Sequence, residues 1–406
     1  MIKITNKTDC CGCGACAQKC PKQCISMVKD TQGFLYPETD IDTCIQCGLC
    51  ESVCPVINKG TEHAPLSVYA AKNKNEEQRL LSSSGGVFVL LANKTIEQGG
   101  AVFGVRFDEK WHAVHSFVET KEELRLFMGS KYVQSTIGNT FKQASDFLRG
   151  GRPVLFSGTP CQIAGLKHFL GKEYDGLLTI EVLCHGVPSP RVWNDYLDYI
   201  RRPKGAVAGE NTVLSSLNDV PSIEGISFRD KQNGWRKFGF VVRFSADQRE
   251  AEKFGLSSVN TKKDIKEYHK QNLYMKSFTN NLCLRPSCFQ CPSKGGKSGA
   301  DISLGDFWTM KKYCSDFDDD KGVTLVYINS EKGEAVFRGV DCDYRILNKN
   351  VIYNRMFTES SNEKYPVDSF WEKYEKQGIE CLAGIVSSMQ KPIYLRLFDR
   401  ILKIFK

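Results

Sequence analysis

The chain has 406 residues, 41% of them hydrophobic and 25% charged, with 55 Lys and Arg against 47 Asp and Glu. This balance excludes collagen-like, coiled-coil and disordered chains, and the length predicts two or three domains with a substantial apolar core. The net charge of +8 is mild and its lysines are scattered, so nucleic acid is not an expected partner. No apolar run is long enough to predict a membrane span. The start MIKITNKTDCC lacks the apolar core of a secretory signal, so the chain reads as cytoplasmic.

The chain carries 18 cysteines, and ten of them fall within the first 54 residues. In a reducing compartment that density predicts metal or redox chemistry rather than disulfides. Cys10, Cys13, Cys16 and Cys20 precede Pro21, and Cys44, Cys47, Cys50 and Cys54 precede Pro55. Both runs read C-x2-C-x2-C-x3-C-P, the bacterial two-cluster ferredoxin pattern. Small residues between the thiols let the backbone wrap one corner of a cubane, and the fourth cysteine of each run caps the other cubane. The expected sets are Cys10, Cys13, Cys16 and Cys54 for one 4Fe-4S cluster, and Cys44, Cys47, Cys50 and Cys20 for a second. Structural zinc pairs two close cysteines with two distant ones, which this spacing does not match. Cys11 and Cys24 lie off the pattern and read as spare buried thiols.

Cysteine density collapses after Ile57, and the polar stretch NKGTEHAPLS places a boundary near residue 60. Beyond it, helix is expected over 87–97, strands over 101–107 and 113–118, and helix over 136–148. A short buried strand follows at 154–156, then helix 162–170, strand 177–183 and helix 191–201. The alternation argues for an α/β domain with sites at strand ends. Residues 203–222 and 246–265 are polar and poorly patterned and read as loops or insertions. The final KPIYLRLFDRILKIFK has apolar residues at helical spacing and a basic face. It reads as a helix docked on the protein, with peripheral membrane contact as the alternative.

Four further cysteines stand in suggestive places. Cys161 follows a strand in SGTPCQ, Cys184 ends the next strand in LCHG, and Cys288 and Cys291 form a C-x2-C. They could converge on one more cubane. Cys161 could instead be a nucleophile or a buried thiol, and Cys288 with Cys291 could bind zinc or form a redox dithiol. Cys283, Cys314, Cys342 and Cys381 read as structural. Three turns could cradle phosphate. LSSSGGVFVLL puts Ser84, Gly85 and Gly86 before a helix, FMGSKYVQS offers Ser130 and Lys131, and GTPCQ offers Gly158 and Thr159. There is no G-x-G-x-x-G, and GGKS lacks the upstream glycine of a P-loop, since Cys291 stands there.

Taken together, LSSSGGVFVLL, MGSKYVQS, SGTPCQIAGL, LCHGVPSP, RPSCFQCPSKGGKSGADISLGDFW and the double Cys-Pro run resemble the beta subunits of coenzyme F-420-reducing hydrogenase and formate dehydrogenase. That group also includes the 7-hydroxymethyl chlorophyll a reductases, and the resemblance covers about residues 1–340. It implies FAD in the α/β domain and a cubane held there by Cys161, Cys184, Cys288 and Cys291. FAD contacts are implied around Ser84, Gly85, Gly86, Ser130, Lys131 and Gly158, with Thr159 in the same turn. His185 and Lys131 are the implied catalytic candidates, with Asp301 and Asp306 further possibilities near the flavin.

The expected fold is an α+β ferredoxin-like module over 1–58, followed by an α/β flavin-binding domain with a mixed sheet over 65–375. The latter has parts at about 65–148 and 150–375, and a basic amphipathic helix occupies 376–406. The expected activity is that of an iron–sulfur flavoenzyme. It would exchange hydride with the deazaflavin coenzyme F-420 or an organic substrate, and electrons with ferredoxin or another redox protein. The alternative is a non-catalytic electron-transfer subunit docked on a partner enzyme.

Overall fold

The structure is a computed structural model, and it describes residues 1–202, 222–245, 264–349 and 354–389. Apart from residues 222, 264 and 265, the two expected loop segments lie outside the described residues, as does KPIYLRLFDRILKIFK.

β1 (Ile25–Lys29) and β2 (Leu35–Thr39) form an antiparallel hairpin between the two cysteine runs. The main body is an eight-stranded mixed sheet. Its strands are β3 (Ser67–Asn73), β4 (Ala101–Phe107), β5 (Ala113–Val118), β6 (Val154–Gly158), β7 (Leu177–Val182), β11 (Ile302–Asp306), β12 (Thr324–Ile328) and β13 (Cys342–Leu347). The spatial order is β13-β3-β12-β11-β7-β6-β4-β5. The neighbouring strands β11, β7, β6 and β4 are parallel, and the flanking pairs are antiparallel. β3 lies between two strands from the far end of the chain, so the expected 65–148 and 150–375 parts share one sheet.

Sequence alternation explains the layers. Val102, Leu155 and Leu178 pack with α4 (Val87–Glu97) on one face, while Phe103, Phe156 and Leu177 pack with α5 (Thr140–Arg149) and α6 (Pro160–Leu170) on the other. Strands covered on both faces need near-continuous apolar runs, and VLF and TLVYI supply them. α5 starts at Thr140 rather than at 136. Thr136 bridges to Val114, and Gly138 then turns left-handed at φ 58°. Both features stop a helix from reaching back to 136.

A second sheet, β8 (Ile223–Asp230), β9 (Gly239–Phe244) and β10 (Ile265–Tyr268), is antiparallel. It shares an aromatic core with α7 (Pro190–Arg201) and the helices Leu273–Thr279, Val367–Gln377 and Cys381–Ser388. The expected boundary at 376 is therefore displaced. Residue 376 lies within the helix Val367–Gln377, and Leu382, Ile385 and Val386 are buried in this same core.

Candidate iron–sulfur and cofactor site

The two cysteine runs repeat in structure as in sequence. Gly14 and Gly48 are left-handed at φ 68° and 74°, each immediately before a short helix, Ala15–Lys19 and Leu49–Ser52. A side chain strains that backbone, so glycine there turns the loop around a cluster. Burial pushes the Cys16 thiol up to about 12, and the Cys10 and Cys54 sulfurs beside it add to the shift. This brings together three members of the first expected set, and Cys13 also feels Cys16 and Cys10. Cys20, Cys44, Cys47 and Cys50, the residues expected as the second set, line one small cavity.

The two thiols off the pattern stand beside the sets. Cys24 lies 3.4 Å from Cys20 and lines the same small cavity. Cys11 is buried between Cys13 and Cys161 and raises the pKa of the Cys161 thiol. Among the described residues no group of three His, Cys, Asp or Glu could hold a single metal ion. Zinc–thiolate bonds of about 2.3 Å would draw sulfurs around one point. The second set lies around a small cavity instead.

The module is docked on the α/β domain. Cys11, Cys13, Ala15 and Val53 lie in the same apolar cluster as Phe141, Ile163 and Leu166 of α5 and α6. Arg285, fully buried, reaches across. Its Nε donates to the Cys10 carbonyl at 2.7 Å, and its Nη2 to the Leu35 carbonyl at 2.8 Å.

Cys161, Cys184, Cys288 and Cys291 converge from three elements. Cys161 stands in the first turn of α6, Cys184 just beyond β7, and the pair in and after the turn Pro286–Gln290. Burial raises the Cys184 thiol to about 12 and the Cys291 thiol to about 11, and the Cys161 sulfur adds to each. The Cys288 thiol is raised by burial and by Cys184, Cys291 and Cys161. Four cysteine sulfurs that act on one another from three elements supply the donor set an iron–sulfur group takes.

Cys184 also lines a cavity of about 520 Å³ at the carboxyl ends of β4, β6, β7 and β11. Parallel strands place ligand crevices there. The wall gathers Ser84, Gly86, Ser130, Lys131, Gly158, Thr159 and His185 from segments scattered through the sequence. Gly85 does not line it. A side chain at Gly85 would collide with the Ala71 carbonyl and fall 2.7 Å from the Thr324 nitrogen. That glycine lets the serine loop pack between β3 and β12. The N-terminus of α4 opens onto the cavity through Gly86, Val87 and Phe88. Tyr132, Phe238, Phe278 and Trp308 make its wall aromatic. A planar ring with an attached phosphate fits those features.

Individual side chains differ from expectation. The Lys131 Nζ donates to the carbonyls of Leu126, Met128 and Gly129 at 2.9, 3.0 and 3.1 Å. Its donors are thus held by its own loop rather than presented to the cavity. Lys231 does the same for the serine loop, donating to the carbonyls of Arg79, Ser84 and Lys321. Burial pushes both amines down to about 7. His185 accords better with its expected place. Its Nε2 lies 2.5 Å from Asn281 Oδ1, and Asn281 Nδ2 donates to the Asn362 carbonyl. That arrangement makes Nε2 the protonated nitrogen and leaves Nδ1 as an acceptor. Burial lowers the His185 pKa.

Asp301 is outside the cavity wall and binds Thr179 and Ser330. Asp306 is in the wall, where it pairs with Arg229 at 2.6 and 3.0 Å. Arg229 was not legible as a site residue. It stands on β8, it also donates to Tyr132, and its guanidinium lies 4.1 Å from the Phe238 ring centroid. Below the cavity floor, His115 Nε2 meets the Ser157 carbonyl and Nδ1 meets the Ser135 hydroxyl.

Paired cubane-type cysteine sets docked on a mixed-sheet domain define an electron-transferring iron–sulfur protein. Residues 151–350 match the family model for the C terminus of the coenzyme F420 hydrogenase/dehydrogenase beta subunit, and residues 9–58 match that of the 4Fe-4S dicluster domain. Residues 151–350 thus carry the C-terminal region of the F420 hydrogenase/dehydrogenase beta subunits, behind a 4Fe-4S dicluster domain at residues 9–58. It is 25% identical over 353 residues to a coenzyme F420-dependent sulfite reductase of Methanocaldococcus jannaschii, covering 84% of this chain and 47% of that protein. It is 25% identical over 174 residues to the F subunit of the F420H2 dehydrogenase of Methanosarcina mazei, covering 40% and 49%. An uncharacterized ferredoxin of M. jannaschii is 32% identical over 75 residues, which are 18% of this chain and 90% of that protein. The chain thus spans about half the length of the first two relatives. No described helix is long and apolar enough to cross a membrane.

Proposed function

We propose that this chain is an iron–sulfur flavoprotein oxidoreductase. FAD binds in the 520 Å³ cavity, and a third 4Fe-4S cluster is held by Cys161, Cys184, Cys288 and Cys291. A flavin there would supply hydride exchange with the deazaflavin F420 or an organic substrate, and single-electron exchange with clusters. The observation that carries the reading is Cys184, which belongs both to the cavity wall and to the four-thiol set. Coenzyme F420 in the names of two relatives supports the choice of hydride partner.

The residues have distinct parts in this reading. The N-terminus of α4 and the serine loop take the phosphates. Tyr132, Phe278 and Phe238 would hold a flavin ring in this cavity, and His185, whose Nε2 is held by Asn281, would have Nδ1 left to hold a proton. Lys131 and Lys231 keep the two loops ordered, and the Arg229–Asp306 pair braces the far wall. The ferredoxin module carries electrons to or from ferredoxin or another redox protein.

Iron and flavin per chain, measured on protein purified without oxygen, test the reading. About 12 irons and one FAD are expected. The Cys161→Ser chain should fall to about eight irons and lose flavin-to-module electron transfer. Eight irons with no flavin in the parent chain would return the protein to a docking electron-transfer subunit.

A further inference from the structure

Arg285 poses a problem that docking alone does not solve. It is fully buried, yet among the described residues no carboxylate pairs with it. Its Nε donates to the Cys10 carbonyl at 2.7 Å, its Nη1 to Gln134 Oε1 at 3.0 Å and its Nη2 to the Leu35 carbonyl at 2.8 Å. The rings of Tyr36 and Phe34 lie 4.3 and 5.3 Å from the guanidinium carbon. All these partners are neutral. Burying a cation among neutral groups is costly unless a negative charge stands nearby.

Two thiol sets lie within its reach: its charge acts on Cys161, and its hydrogen bond to sulfur is with the first set. Nη2 also lies 3.5 Å from Cys10 Sγ. Space for this contact is kept by Gly12, where an added Cβ would fall 2.8 Å from Arg285 Nη1. A cubane with four thiolate ligands is anionic, and reduction makes it more so. A fixed cation and an N–H···S bond at one ligand favour the reduced form, because the low dielectric around them strengthens the attraction.

We propose that Arg285 is a positioning residue that raises the reduction potential of the cluster held by Cys10, Cys13, Cys16 and Cys54. The inference rests on the assignment of those four ligands. It needs neither the flavin nor the third cluster.

The test is an EPR-monitored redox titration of the full-length, iron-loaded chain and two variants. In Arg285→Gln, the reduction constant of one module cluster should fall about tenfold, which is about 59 mV for a one-electron couple. The other module cluster should change less than twofold. Arg285→Lys keeps the charge but cannot reach carbonyl and sulfur together, so its shift should be smaller, about threefold, in the same direction. Iron retained with neither step moved, or both steps lowered equally, overturns the proposal. If Arg285→Gln does not retain iron, Arg285→Lys decides. An unchanged potential, or loss of iron despite the conserved charge, means that Arg285 is only a clamp. A parent chain with fewer than eight irons would instead defeat the ligand assignment, which separates the two failures.

Discussion

Gly165 and Gly384 invite the same substitution with opposite expected results. Both sit inside helices, where alanine is favoured over glycine by about 1 kcal/mol. An added Cβ at Gly384 meets nothing within 4 Å. Gly384→Ala should therefore stabilise the chain by about 0.5–1 kcal/mol. At Gly165 the added Cβ would fall 2.9 Å from both Cβ and Sγ of Cys13. Neither α6 nor the module loop can yield freely, because Cys13 is buried and Gly165 lies in the helix packed on the sheet. Overpacking of this kind costs about 1–3 kcal/mol, so the net effect is a loss of up to about 2 kcal/mol. The displaced atom is an expected cluster ligand, so the damage should fall on iron as well as on stability. Parallel anaerobic thermal melts and iron assays decide the matter. Gly165→Ala should melt below the parent and lose up to about four irons, while Gly384→Ala should melt at or above it with iron intact. A Gly165→Ala chain as stable and as iron-rich as Gly384→Ala would refute the docked contact between Cys13 and α6.

Other consequences follow from buried charge. Burial lowers His115 from 6.5 to about 4. The folded state then stays neutral between those values while the unfolded chain takes up a proton, so stability falls as pH drops from 6.5 to 4. The loss approaches about 3 kcal/mol at 1.36 kcal/mol per unit. Urea midpoints across that range should show a steeper acid loss for the parent than for His115→Gln, and equal slopes would rule the effect out. Asp306→Asn leaves the Arg229 guanidinium buried without its carboxylate and should cost about 3–5 kcal/mol. The paired change Arg229→Met with Asp306→Leu should recover most of that in denaturant titration. A single-variant cost below about 1 kcal/mol would show that the pair does not brace the wall.

Much of the fold was legible because its signals are local. The helix Val87–Glu97 and the strands Ala101–Phe107 and Ala113–Val118 occur at the expected bounds, since each is an apolar-rich segment flanked by polar or glycine residues. The dicluster domain was legible because the spacing of its two cysteine runs itself encodes loop geometry. Side-chain roles at the cavity were not. Lys131 looked like a free cation because composition cannot show that three carbonyls of its own loop take its protons. Gly85 looked like a ligand contact, but what its missing side chain spares is β3 and β12, which are distant in sequence. Arg229 and Asp306 meet only because β8 is brought across to the end of β11. Arg285 stood inside a recognised motif, yet nothing in RPSCFQC says that its side chain reaches Cys10.

The arrangement of burial argues for a fixed conductor rather than a tethered ferredoxin. A mobile module would need a polar, separable face against the α/β domain. Here that face is a shared apolar core, and Cys11 sits inside it between thiols of the two bodies. Cys13 and Cys16 of the first set are buried, whereas the second set includes an exposed thiol. Cys47 is the one exposed cysteine of the chain, and Ile41, Ile45 and Leu49 beside it are exposed as well. Under the proposed function, electrons cross from the cavity through the Cys184 set to the Cys10 set without any domain motion, and exchange with a partner at the Cys47 end. In that scheme the rate-setting variable at the internal step is the difference in potential between neighbouring clusters, which is what a buried cation at Cys10 would govern.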